Sequence, residues 1–184
     1  MLAQQEARRA EHNLAQRFKR WVSRARLGIK SRRDDAMSHT YSSNRVHVIF
    51  STKERKKALS DEFQPKLWAY MAGIAHNQGF EAIIIGGVRD HVHALLVLPP
   101  SIPLAKAVQH LKGSSSKWIN ETATERFSWQ EGYGAFSVSA SQTEDVAAYI
   151  RNQRAHHEKK SFEEEFMEFL KKYGVDYDPA YVLG

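Results

Sequence analysis

The chain has 184 residues, 42% of them hydrophobic and 26% charged, and no cysteine. This is the size of one domain that buries a core unaided, and the absent thiols exclude both a disulfide framework and a thiolate zinc site. No run approaches the roughly 18 apolar residues of a membrane span and the first twenty residues are too polar for a signal peptide, so a cytoplasmic location with no membrane partner is expected.

The net charge of +6 is local rather than general. Residues 1–36 carry ten Lys and Arg against four Asp and Glu, which is the whole excess, so the rest of the chain is neutral. In that segment Leu14, Phe18, Trp21, Val22, Ala25 and Ile29 recur at helical steps and draw an apolar stripe on a basic helix. It reads as an arm for phosphate or a partner, as a solvated extension, or as an addition upstream of a true start at Met37. We favour the last. The charge change between Asp35 and Ser38 marks the expected boundary between an extension of 1–36 and a single domain of 37–184.

From Arg45 the pattern becomes that of a compact fold. Val46 to Thr52 is β-branched and aromatic, which predicts a strand, and the charged turn Lys53 to Lys57 follows. Ser60 with Asp61 and Glu62 opens a helix whose apolar positions Phe63, Leu67, Met71 and Ile74 keep helical spacing until Gly79. Ala82 to Ile85 and His91 to Leu98 are the next strands, the latter stopped by Pro99 and Pro100. Pro103 starts a second helix reaching about Thr122, with Gly113 and three serines weakening its middle. A fourth strand falls within Phe127 to Ser139. Ser141 with Glu144 predicts a capped helix to about His157, and Ser161 with Glu164 a last one, closed by Gly174. The order βαββαβ followed by helices predicts an α+β, ferredoxin-like antiparallel sheet with helices on one face and additional C-terminal helices.

Alternation along the third strand puts His91 and His93 on one side. Two neutral imidazoles one strand repeat apart can chelate a divalent cation; two partly buried, backbone-bonded histidines are the ordinary alternative. A third ligand must come from elsewhere, because Ala94 to Leu98 offers none. Tyr149 and Gln153 stand one helical turn apart and face the same way, offering a phenol and an amide oxygen, or else Tyr149 packs and Gln153 is solvated.

The runs DHVHALLVLPP, LKGSSSKWIN, EDVAAYIRNQRAHH and FEEEFMEFLKKYGVDYDPAYV, in that order, resemble the single-tyrosine HUH transposases of bacterial insertion sequences. The likeness covers nearly everything after Met37 and is greater to the compact insertion-sequence members than to their relatives associated with repetitive extragenic palindromes. It implies that residues 37–184 form one catalytic domain whose tyrosine lies on the C-terminal helices. It implies further that His91 and His93, flanking Val92, ligate Mg²⁺ or Mn²⁺, that Tyr149 is the nucleophile, and that Gln153 is the third ligand. His156 and His157 lie close by, and imidazole is normally the better ligand; Gln153 is kept because it matches the family. Asp90 precedes the pair with no assigned role. The implied partners are single-stranded DNA with hairpins at the element ends and a second copy of the chain; the tyrosine helix of one subunit completing the other's site is the family's arrangement, the glycine- and serine-bearing linker of Gly132 to Gln142 could let that helix swing, and geometry alone permits either a shared or a self-contained site. No small-molecule cofactor is implied.

Such a site would cleave and rejoin a phosphodiester through a 5′-phosphotyrosine link without ATP. Arg45, Lys53, Arg55, Lys56 and Lys57 around the first strand, and Lys106, Lys112 and Lys117 on the second helix, are candidate DNA contacts, each with a solvated-surface alternative. Trp129 and Tyr133 could stack bases or fill core. Two rivals remain: a non-catalytic nucleic-acid module with an RNA-recognition-like sheet, whose aromatic fingerprint VHVIFST and HVHALLV lack, and a metal-dependent nuclease using water.

Overall fold

The computed structural model describes residues 41–122, 125–158 and 160–178. The basic helix and the boundary near Met37 fall outside the described residues. From there β1 (Asn44–Ser51), α1 (Gln64–Asn77), β2 (Glu81–Gly87), β3 (His91–Leu98), α2 (Leu104–Thr122) and β4 (Gly134–Ser137) follow in the expected order. The four strands form one antiparallel sheet in the order β2-β3-β1-β4, the α+β arrangement that the βαββαβ order predicts. Three C-terminal helices complete it: α3 (Thr143–Arg151), α4 (Gln153–His157) and α5 (Phe162–Lys172).

Strand alternation divides the interior into two layers. Val48, Phe50, Val92, Ala94 and Leu96 pack against Leu67 and Met71 of α1 and Leu111 of α2. The register pairs Ile49 with His93 and Ser51 with His91, so both histidines point to the opposite face. The C-terminal helices cover that face. Phe162, Phe166 and Leu170 of α5 bury against Ile49 and Phe136, while Ala147 and Ile150 of α3 bury against Leu95 and Val138. Each of the larger side chains contributes about 1.5–3 kcal/mol by leaving water.

Two glycines allow these helices to lie close. A Cβ at Gly86 of β2 would stand 2.7 Å from the Ile150 carbonyl oxygen of α3, and one at Gly134 of β4 would stand 2.5 Å from the Phe166 ring of α5. Any larger side chain would lift its helix from the sheet.

Several local expectations need correction. Ser60 does not cap α1 by its side chain; the helix begins at Gln64, whose amide donates to the Leu59 carbonyl at 3.0 Å, and Pro65 sets its first turn. The serines do not break α2, because Ser115 is buried and its hydroxyl bonds the Leu111 carbonyl while accepting from the Trp129 indole at 3.0 Å. Only Gly134–Ser137 of the aromatic stretch pairs as a strand, with a lone bridge between Thr52 and Trp129. The box at Ser141 does not form: Ser139 bonds Ser141 and Gln142 instead, and a 3-10 turn at Ala140–Gln142 leads into α3. The single helix expected to His157 is broken at Asn152, whose backbone leaves helical geometry. The box at Ser161 and Glu164 does form, with Ser161 N–H donating to Glu164 at 2.9 Å.

Candidate metal and nucleophile site

His91 and His93 leave β3 side by side, fully buried, with ring centroids 5.1 Å apart. Each has a neighbour on its Nδ1. The Asp90 carboxylate lies 2.6 Å from His91 Nδ1, and His47 Nε2 of β1 lies 2.9 Å from His93 Nδ1. In the tautomer where these two groups accept the Nδ1 proton, the Nε2 lone pair of each ring faces inward. Burial lowers His93 to about 4 against the opposing pull of Glu165, so it is neutral at pH 7. Burial, with His93 beside it, also holds His47 well below its ordinary value. His93 Nε2 is buried without a hydrogen bond. An orphaned buried nitrogen aimed into a cluster of donors fits a metal ligand.

The C-terminal helices bring the remaining groups to the same point. The Tyr149 ring of α3 lies 6.0 Å from that of His93, and its hydroxyl donates to the Glu165 carboxylate of α5. Gln153, first residue of α4, is buried with its carbonyl oxygen 3.4 Å from His91 Nε2 and its amide donating to Glu165 Oε1 at 3.0 Å. His157 Nε2 lies 3.1 Å from Glu165 Oε2, while its Nδ1 lies 2.8 Å from the Lys160 carbonyl. His156 approaches the Tyr149 hydroxyl at 3.5 Å. His91, His93, Tyr149 and Gln153 thus meet within one chain, one of the two arrangements that the sequence left open.

Two participants were not singled out from the sequence, Glu165 and His47, and Asp90 now has a partner. Glu165 is only 2% exposed although it sits on the face of α5 that carries Phe162 and Phe166. That placement is the overlooked signal, since a carboxylate on the apolar side of a helix needs buried partners. His47 had an equivalent signal as a polar residue on the covered face of β1, two residues before Ile49.

The charges interlock. Burial works against the Glu165 carboxylate, but the bond with His157, the nearby His93 ring and the Tyr149 hydroxyl hold it far below the ordinary carboxylate range. Burial and then that carboxylate push the Tyr149 phenol well above its usual value. For His157, burial opposes the charged form and Glu165 outweighs it, so its pKa is raised. Ligand-capable atoms of His91, His93, His157 and Glu165 all lie within 4.8 Å of one another. With the Gln153 oxygen they make a mixed nitrogen and oxygen donor set for a divalent ion.

A family model described as "Transposase IS200 like" matches residues 40–153. The chain belongs to that family. It is 24% identical over 127 residues to the transposases for insertion sequence element IS200 of Salmonella typhimurium and Salmonella typhi, covering 65% of this chain and 83% of theirs. It is 28% identical over 114 residues to the ISDra2 transposase TnpA of Deinococcus radiodurans, covering 58% of this chain and 81% of that one. Among solved structures, a candidate transposase from Deinococcus radiodurans R1 superposes with a TM-score of 0.52 at 26% identity, covering 65% of this chain and 97% of that one. A REP-associated tyrosine transposase bound to a REP hairpin shares the fold at 13% identity, with a TM-score of 0.50 over 67% of this chain and 74% of that one. The family match takes in His91, His93, Tyr149 and Gln153 and ends before His156, His157 and Glu165.

The basic residues of this transposase-family chain do not form one uniform surface. Arg55 pairs with Glu163 at 3.0 Å and Lys56 with Glu54 at 3.0 Å. Lys112 donates to the carbonyls of Gln130, Glu131 and Gly132 at 2.6, 3.1 and 2.9 Å and lies over the Phe50 ring, so it fastens a loop rather than offering a free cation. Arg45 is half-buried, while Lys53, Lys57, Lys106 and Lys117 are exposed. Trp129 fills core and Tyr133 is exposed. No helix among the described residues is long and apolar enough to cross a membrane.

Proposed function

We propose that this family member cleaves and rejoins single-stranded DNA through a covalent 5′-phosphotyrosine on Tyr149. The observation that carries this reading is the meeting of the Tyr149 phenol with the inward-facing His91 and His93 pair inside one chain. His91, His93 and Gln153 would hold Mg²⁺ or Mn²⁺. When bound, such an ion polarises a non-bridging phosphate oxygen and stabilises the departing 3′ oxygen.

The chain's own residues supply the rest. Asp90 and His47 orient the imidazoles, and the packing of α5 keeps bulk water from the pair. Tyr149 is half-buried and walls two clefts between α3 and α5, from which a strand would reach it. Its oxygen bonds to phosphorus as the bond to the 3′ oxygen breaks, giving a phosphotyrosine and a free 3′-OH. A second 3′-OH then displaces the phenol, so the bond energy is retained and no ATP is needed.

The REP hairpin bound by the structural relative supports single strands carrying hairpins as the substrate. A homodimer is part of the reading, each protomer carrying a complete site. We place the activity in residues 37–184, because all the site residues and both packed layers lie there.

The test uses hairpin-bearing single strands with randomised flanks, labelled on the side 3′ to the cut, and Mn²⁺. A denaturant-resistant protein–DNA adduct is expected, and none from Tyr149→Phe or from His91→Ala with His93→Ala. Cutting without an adduct would point to a nuclease using water, and binding without cutting to a non-catalytic module; either overturns the proposal.

A further inference from the structure

Resting on that reading, we propose that Glu165 is an anionic ligand of the same metal centre, contributed by α5 from beyond the part of the chain that the family model matches. Its two oxygens have different surroundings. Oε2 faces the imidazoles, 3.3 Å from His93 Nε2, 3.1 Å from His157 Nε2 and 3.8 Å from His91 Nε2. Oε1 faces the Tyr149 hydroxyl and accepts from the Gln153 amide at 3.0 Å. One carboxylate therefore spans the histidine pair and the nucleophile, and would hold the phenol beside an ion bound there.

The cost of placing it there argues for a use. Phe162, Phe166 and Leu170 surround Glu165 on the buried face of α5, and a carboxylate in such a layer is tolerated only when paired or ligating. Among the described residues its ion partners are all histidines: His91, His93, His156 and His157. Imidazole nitrogens are ligands in their own right, and three of them together with this carboxylate form a set that converges within 4.8 Å. His157 Nδ1 is occupied by the Lys160 carbonyl, which turns its Nε2 towards the same point.

The chemistry follows from charge. Two imidazoles and an amide oxygen leave a divalent ion with its full charge, whereas an added carboxylate oxygen neutralises half of it and favours hard ions such as Mn²⁺ and Mg²⁺. Gln153 is then a neighbour of Glu165 rather than its competitor, since its amide holds Oε1 while its carbonyl stays near His91.

Two measurements on the full chain decide this. The first is Mn²⁺ affinity by electron paramagnetic resonance of the free ion, for the unmodified protein and for Glu165→Gln, which keeps size and shape. A loss of ten-fold or more is expected; affinity unchanged or increased overturns the assignment. The second needs no variant: a crystal structure of the unmodified protein with Mn²⁺ is expected to show a Glu165 oxygen in the coordination shell. An ion on His91, His93 and Gln153 with Glu165 turned away overturns it. If the adduct nonetheless forms with Mn²⁺, only the role of Glu165 falls. If no ion binds the histidine pair and no adduct forms, the proposed function falls with it.

Discussion

His93 can present a lone pair only while something else takes the proton on its other nitrogen. His47 is that group, 2.9 Å away on the neighbouring strand. His47→Gln places an acceptor oxygen near the same position, and His47→Leu removes it. Mn²⁺ affinity should fall about 10–100-fold in His47→Leu and be largely kept in His47→Gln, as is usual for groups that orient a metal-binding histidine. Equal losses in both would assign His47 to packing alone. The pair of variants Gln153→Ala and His157→Ala makes a related comparison: loss of metal-dependent adduct is expected for the first and retention for the second.

The four residues named from the sequence stood out by short-range spacing that ordinary packing also allows, and their roles came from the resemblance. His91 and His93 alternate along a strand, and Tyr149 and Gln153 are one turn apart. Glu165 and His47 follow no such spacing. Their meaning arises only when α5 and β1 fold onto the same face, bringing together side chains 118 positions apart in sequence, and a single charged residue within an apolar stripe looks like noise until its partners are known.

Among the elements, α5 decides whether the site exists. It contributes Glu165 and closes the layer over the histidines with Phe162, whose ring centroid is 4.6 Å from that of His91. Phe166→Ala should cost about 3–5 kcal/mol, read as a lowered unfolding midpoint in denaturant. Gly134→Ala places a methyl 2.5 Å from the Phe166 ring. That substitution should weaken Mn²⁺ binding although position 134 touches no ligand; unchanged binding would show that α5 can shift without disturbing the centre. The strand order and the helical spacings were readable beforehand, but the break at Asn152 was not. Helical periodicity continues across it, and backbone geometry alone separates the helix carrying Tyr149 from the one that begins at Gln153.

For the molecule as a whole, charge and core are separately located. The excess of basic residues lies in 1–36, whereas the packed layers run from Val46 to Leu170. A chain starting at Met37 should therefore form the tyrosine adduct at an unchanged rate at moderate salt; loss of the adduct would make the basic segment part of the substrate-binding apparatus. Because Tyr149 meets the histidines of its own chain, mixing a His91→Ala, His93→Ala protein with a Tyr149→Phe protein should restore no cleavage. Restoration would mean that the helices exchange between subunits.

The complete burial of His91 and His93 also bears on how an ion comes and goes. Both rings lie buried beneath α5, so the approach of an ion or a phosphate is expected to need that helix to move, and stripping by a chelator should proceed at a rate set by that opening and saturate as chelator is added. A brief wash would leave the protein loaded, and its metal content would record the medium in which it folded rather than the buffer in which it is assayed.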